Sequence, residues 1–267
     1  MILFTSDLDR TLLYSVSMMK KYPIDDIVTA VEYKGEKAIS FMSQYSIEKL
    51  SQFHENHLFV PVTTRAIYQY ERIAAFQQWL QPKYAIMSNG GTIQVDGQLD
   101  IEWGRKIQEK ITTTSVSKED FLQLFAEIRH NDWVLKEHVV DEFFYMFHIN
   151  EQNVPFGELI DFERKLATIG WKLFLQGRKL YFLPIQLNKA SAVTYLKSCV
   201  DYDIHVAAGD SLMDYDMLRQ AGISYSPAHG ELFRQYGDDS MVTWLKGKGA
   251  NSADELLRQL LQMTIQK

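Results

Sequence analysis

The sequence predicts a doubly wound α/β fold: a parallel sheet with helices on both faces, interrupted midway by a smaller α+β unit. Three observations carry that expectation. Short apolar runs are each followed by a turn and a stretch of helical period, the pattern of strands joined by crossover helices. This alternation stops near Ile107 and resumes after Leu183. In between, the order becomes helix, strand, strand, helix, strand, strand with its own aromatic residues, as expected of a separately packed insert.

The first run, 2–5, is almost wholly apolar, which suits a strand covered on both faces. Helical period follows over 46–54, then a strand at 58–62, a helix at 66–80 and a strand at 84–87. In the insert, Ser117 before Lys118, Glu119 and Asp120 reads as an N-cap with an acidic first turn, and Phe121, Leu122, Leu124 and Phe125 carry the helix to about Arg129. Strands 133–139 and 142–149 turn near Val140 and Asp141. A helix over 156–168 precedes a second hairpin, 171–175 with 179–183, whose turn is Gln176, Gly177 and Arg178. The alternation resumes with a helix at 190–199, a strand at 205–208, a helix at 212–220, weaker strands at 223–225 and 241–244, and a helix at 253–262. The expected division is therefore a core of 1–106 and 184–267 with an insert of 107–183.

The bulk composition is that of a globular chain of 267 residues, with few Gly and Pro and no low-complexity linker. A net charge of −6 argues against a general nucleic-acid binder, which shows a basic surface. Cys199 is the only cysteine, so an internal disulfide and a cysteine-based zinc cluster are excluded; it falls in the apolar end of a predicted helix and is expected to be core packing. The first residues lack the features of a secretory signal, and no run approaches the roughly 20 apolar residues of a membrane span. A cytoplasmic location is expected.

In open parallel sheets, ligands bind beyond the carboxyl ends of the strands. Asp7 and Asp9 stand directly after the first strand, where two nearby carboxylates suit a hard cation such as magnesium. An Asp nucleophile would give an aspartyl-phosphate, with a second acid to protonate the leaving oxygen and activate water. Asp-x-Asp can equally cap a turn. Asp210 and Asp214 add two carboxylates at the end of strand 205–208, although Asp214 also fits a helix-start role. Thr63 closes strand 58–62, where a hydroxyl and the following amides suit a phosphate oxygen or a plain N-cap. Lys189 directly precedes the helix at 190–199, a position unfavourable for a cation unless an anion lies near.

These segments resemble the four motifs of the haloacid dehalogenase-like phosphatase superfamily: Asp7-Leu8-Asp9-Arg10-Thr11 the first, Thr63 the second, Lys189 the third, and Gly209-Asp210 with Asp214 the fourth. Asn89-Gly90-Gly91 and the helix-hairpin insert are similar to the type-IIB branch, which includes Cof-like and sucrose-phosphate phosphatases. The resemblance implies a Rossmann-like core with an inserted αββαββ cap, and a magnesium-dependent phosphohydrolase acting on a small phosphorylated metabolite, with a sugar phosphate favoured. It further implies Asp7 as nucleophile, Asp9 as acid/base, and Thr63 and Lys189 as phosphate holders. Magnesium would be held by Asp7, the Asp9 carbonyl and Asp210, with Asp214 in support. Three positions depart from the pattern: Arg10 and Thr64 stand where the family usually has Gly, and Met213 where it often has Asn. A phosphosugar mutase on this scaffold and a non-enzymatic binding module are the alternatives.

Arg65 and Arg178 are candidate contacts to the substrate or cap. His138 and His148 fall on neighbouring predicted strands but lack a third ligand at zinc spacing. Phe143, Phe144, Tyr145 and Trp133 read as core of the insert in preference to a sugar-stacking platform. Residues 31–39 read as a hairpin, either a flap near the site or surface decoration.

Overall fold

The computed structural model describes residues 1–265. The chain opens with β1 (Ile2–Ser6), a short β2 (Tyr14–Ser15), α1 (Val16–Lys21) and the hairpin β3 (Val28–Lys34) and β4 (Lys37–Ser43). Every residue of β1 is buried because it lies between two strands in the sheet and under helices on its faces. The α2 helix (Gln44–His54) starts where the Ser43 hydroxyl accepts the Ser46 amide at 2.9 Å, and it buries Ile47, Leu50 and Phe53. Next come β5 (Leu58–Pro61) and α3 (Ile67–Tyr70).

The helix expected over 66–80 is broken. After α3 the chain leaves helical geometry, pairs Ile73 with Glu32 in an isolated bridge, and resumes as a π-helical segment over Ala75–Leu80. The bridge to β3 takes backbone that an unbroken helix would have used internally. β6 (Tyr84–Met87) pairs antiparallel with β7 (Thr92–Val95), followed by β8 (Gln98–Leu99). It meets the end of the parallel sheet at the bridge Val62–Ile86, continued by hydrogen bonds from the Ser88 and Asn89 amides to the Arg65 and Thr63 carbonyls at 2.8 and 2.9 Å.

The α4 helix (Ile101–Thr114), absent from the sequence expectation, starts at an Asp100 cap and crosses position 107. It buries Trp103 and Ile107 and packs Ile111 on the same apolar cluster, one face at helical spacing. The insert follows as α5 (Lys118–Phe125), β9 (Val134–Val140), β10 (Phe144–Ile149), α6 (Phe156–Thr168), β11 (Trp171–Gln176) and β12 (Lys179–Pro184). Its antiparallel sheet runs β11-β12-β10-β9. One face packs on α5 and α6 through an aromatic core in which Phe121 stacks on Trp171 at 4.4 Å. On the other face Val140, Phe144 and Leu183 join the apolar cluster of the main sheet, so the insert shares a core with it. Phe143, Phe144, Tyr145 and Trp133 are indeed packing residues, divided between these two clusters.

The chain returns through α7 (Lys189–Lys197), β13 (Ile204–Ala208), α8 (Tyr215–Arg219), β14 (Ile223–Pro227), α9 (Glu231–Tyr236), β15 (Thr243–Leu245) and α10 (Ala250–Ile265). The main sheet is parallel, in the order β15-β14-β13-β1-β5. The core expectation for Cys199 fails: α7 ends at Lys197, and Cys199 lies exposed in the loop beyond it. Among the described residues no helix is long and apolar enough to cross a membrane.

Candidate active site

Asp7 continues β1 by one hydrogen bond, from its amide to the Ala208 carbonyl at 2.9 Å, and there the sheet ends. The chain then folds over buried Leu8, whose carbonyl accepts the Leu12 and Leu13 amides at 2.9 and 2.7 Å. Arg10 takes the turn with φ 67°, a left-handed conformation that favours glycine and costs other residues about 1 kcal/mol. That geometry accounts for the family's usual Gly at this position. The turn leaves Asp7 nearly enclosed, while the Asp9 side chain is 54% exposed in a cleft.

On the neighbouring strand, β13 ends at Ala208, and Gly209 allows the chain to fold onto Asp214. A Cβ at Gly209 would lie 2.4 Å from the Asp214 Cβ. Asp214 Oδ2 accepts the Ser211 amide at 2.9 Å and the Ser211 hydroxyl at 2.7 Å. Asp214 thus fills the helix-start role, and its other oxygen faces Lys189. Met213 is buried in the apolar cluster of the main sheet, where a polar residue would have no partner to gain.

Lys189 begins α7 after an Asn188 cap and is 1% exposed. Its Nζ donates to Asp7 Oδ1 at 2.5 Å and to Asp214 Oδ1 at 2.6 Å. Asp7, Asp210 and Asp214 bring carboxylate oxygens within 4.8 Å of one another, all buried. One Lys faces three acids, and Asp210 Oδ2 is buried with no hydrogen-bond partner.

The electrostatics follow from this crowding. Burial, then Asp214 and Asp9, outweigh Lys189 and push the Asp7 carboxyl up to about 7. Burial, then Asp7 and Asp214, push Asp210 well above the usual carboxylate range. Lys189 loses hydration, which favours its neutral form, yet Asp214 and Asp7 outweigh that and hold it charged. Asp9 is opposite in sign: partial desolvation raises it, but the Arg65 guanidinium, then Lys179 and Lys189, hold it well below its ordinary value.

Arg65 grips Asp9 with two hydrogen bonds of 2.8 Å. Its Nη1 also pairs with Glu32 Oε2 at 2.8 Å. Glu32, 1% exposed, takes Arg72 at 2.9 Å and the Ser40 hydroxyl at 2.5 Å. The β3–β4 hairpin is thus no decoration: it anchors Arg65 and lines the cleft with Lys34 and Ile39. The role of Glu32 had no sequence signal beyond an acid between apolar Val31 and aromatic Tyr33.

Thr63 is fully buried; its Oγ1 accepts the Arg65 amide at 3.2 Å and its own amide donates to Ile86 at 2.8 Å. Thr64 and Arg65 line the cleft beside Asp9, and Arg178 lines an adjoining lobe that also contains Asp9. His138 and His148 approach to 5.3 Å on neighbouring strands of the insert. Among the described residues the metal-competent cluster is the acidic triad, and the histidines are not part of it. Asp141, read from the sequence only as a turn residue, reaches from the β9–β10 turn to accept the Ile67 amide at 2.8 Å and the Ser88 hydroxyl, tying the insert to α3 and the end of β6. Gly91 completes that seam, where a Cβ would lie 2.6 Å from the Phe143 ring, while Asn89 and Gly90 pack against the start of α7: Asn89 Nδ2 donates to the Leu187 carbonyl at 3.2 Å, and a Cβ at Gly90 would lie 2.4 Å from the Asn188 carbonyl.

Residues 1–240 match the sequence model of the sucrose-6F-phosphate phosphohydrolase family. A search of curated proteins finds no match. Among solved structures, the sucrose-phosphatase of Synechocystis sp. PCC6803, in complex with sucrose and phosphate, is similar with TM-score 0.67, at 18% identity over 98% of both chains. A Thermoplasma acidophilum protein gives TM-score 0.63 at 14% identity, over 98% of this chain and 99% of its own. The haloacid dehalogenase-like hydrolase yhjK of Bacillus subtilis gives 0.55 at 17% identity, over 97% and 91%. Such distant likeness shows the fold, while the match over 1–240 shows the family. The chain is a haloacid dehalogenase-like phosphatase and belongs to the sucrose-6F-phosphate phosphohydrolase family.

Proposed function

We propose that this chain hydrolyses the phosphomonoester of a small sugar phosphate, with magnesium, through phosphorylation of Asp7. The observation that carries this reading is the Asp7 carboxylate held at 2.5 Å by buried Lys189 within a triad of buried acids. The family match and the sucrose-bound Synechocystis relative favour a carbohydrate ester.

An uncompensated Asp210 oxygen and three desolvated acids fit a hard divalent cation. Asp7, Asp210 and the Asp9 carbonyl would hold magnesium, with Asp214 in support; when bound, the ion offsets the acid charge and polarises the phosphoryl oxygens. Lys189 and Thr63 hold the phosphate, and Lys189 keeps Asp7 aimed. An Asp7 oxygen forms the bond to phosphorus, the ester bond breaks, and the leaving oxygen takes a proton from Asp9. Asp9 then takes a proton from water, whose oxygen attacks phosphorus, freeing phosphate and restoring Asp7.

This cycle requires Asp9 to carry a proton, which the Arg65 pair opposes. An arriving phosphate competes for the guanidinium and releases Asp9 as a general acid. The core, 1–106 and 184–267 with the boundary falling within α4, carries the chemistry, and the cap, 107–183, covers the leaving group.

The test is phosphate release across sugar, nucleotide and cofactor phosphates with magnesium present. Sugar phosphates are expected to be hydrolysed best, and Asp7→Asn to abolish turnover with the fold intact. Undiminished hydrolysis in Asp7→Asn overturns the reading.

A further inference from the structure

The cleft around Asp9 carries more positive charge than one phosphate explains. It has two lobes, about 280 and 460 Å³, which share Asp9, His148 and Lys179. Asp9 is the only acidic residue lining either lobe, and Arg65 already grips it. Arg65 and Arg72 are in turn matched by Glu32. Left over are Arg10, Lys34, Lys136, Arg178 and Lys179, none of which forms an ion pair among the described residues. In a protein of net charge −6, this is a local concentration of cations.

Its arrangement follows from strand register. On the cap face opposite the aromatic core, His148 pairs across β10 and β9 with Lys136, and across β10 and β12 with Lys179. One row therefore reads Lys136, His148, Lys179, with Arg178 at the adjoining turn. The next row places His138 beside Met146 and Tyr181. His138 Nε2 is buried with no hydrogen-bond partner. Burial and the surrounding lysines hold both histidines below their ordinary values. Lys136 and Lys179 thus flank His148 from the strands on either side, with no acid in the row to offset them.

On the reading above Lys189 and the metal-competent acids serve the reacting phosphate, whereas the cationic row lines the two lobes that open from Asp9. We propose that the natural substrate carries a second anionic group, a phosphate or a carboxylate, which Lys136, Lys179 and Arg178 bind while Asp7 attacks the first phosphate. This rests on the phosphohydrolase reading above and narrows it from sugar phosphates at large to doubly anionic ones.

Matched pairs test it. Fructose 1,6-bisphosphate is compared with fructose 6-phosphate, and 3-phosphoglycerate with glycerol 3-phosphate, so that each pair differs by one phosphate or one carboxylate. The doubly anionic member of at least one pair is expected to have a kcat/KM higher by roughly tenfold, mostly through KM, as charge-assisted hydrogen bonds at a part-exposed site allow. Which pair shows it identifies the group. In the double variant Lys136→Gln, Lys179→Gln the advantage is expected to shrink to near parity. Equal or better hydrolysis of both singly anionic members, or an advantage that survives the double variant, overturns the proposal. Calorimetric binding of the same pairs to Asp7→Asn with magnesium separates the two claims. A binding preference without turnover in the unmodified protein refutes the hydrolase reading but leaves the second-anion subsite standing. Turnover with no such preference refutes the subsite alone.

Discussion

The Asp7 carboxyl is pushed up from 3.8 to about 7, so the native protein holds its proton more tightly than the unfolded chain does. Between roughly pH 4 and 7 the native state then binds more protons, and stability contributed by this group falls as pH rises through that window. Asp210 acts in the same direction. His205, pulled down to about 4 by burial, acts oppositely over part of the same range, so wild type must be compared with Asp7→Asn. Without divalent cations, the melting temperature of Asp7→Asn is expected to fall less than that of wild type between pH 4 and 7. Magnesium should raise the wild-type melting temperature more at pH 7.5 than at pH 5, because ionised acids bind it and protonated ones do not. An equal rise at both would argue against the acidic triad as the metal site. Arg65 belongs to this scale too. Glu32→Gln leaves Arg65 and Arg72 without their buried partner, and is expected to destabilise the protein by about 2 kcal/mol in urea unfolding and to lower activity by freeing Arg65 from its anchor.

Elements place these residues by ending where they do. β1 and β13 stop together, so Asp7 and Asp210 meet at one edge, and Gly209 lets Asp214 close beneath them. Gly209→Ala would drive a Cβ into the Asp214 side chain; a loss of about 2 kcal/mol and at least tenfold in kcat is expected, measured by denaturation and steady-state kinetics. The strand ends were legible in the sequence because buried parallel strands are apolar runs and the acids stand directly after them. What escaped were contacts with no local cause. Whether 31–39 was a flap or decoration turned on Glu32 meeting Arg65, distant in sequence. The helix over 66–80 had the right period, yet the Glu32–Ile73 bridge broke it. The α4 helix does carry a local signal, Trp103, Ile107 and Ile111 at helical spacing, but it straddles the point where the alternation stops. Cys199 was placed in the core because an apolar run was extended two residues past the real end of α7.

At the scale of the whole molecule, the proposed function assigns the reaction to the core and selection to the cap, two parts that share an apolar cluster. The cap docks on the main sheet through Val140, Phe144 and Leu183 and through Asp141, whose carboxylate takes the Ile67 amide and the Ser88 hydroxyl. Asp141→Ala removes both bonds and leaves a non-glycine residue at φ 43°, so kcat/KM is expected to drop about tenfold. Asp141→Asn, which tolerates that backbone and keeps one acceptor, should recover most of it. A cap that merely decorates the core would show no difference between the two. The central claim, however, concerns Asp7, and it can be read without knowing the natural substrate. In a rapid acid quench during turnover of a generic aryl phosphate with magnesium, mass spectrometry should find one phosphoryl group on the peptide carrying Asp7, and none in Asp7→Asn. Rapid phosphate release with the adduct on another residue, or with the Asp7 peptide unmodified at every quench time, would contradict the account.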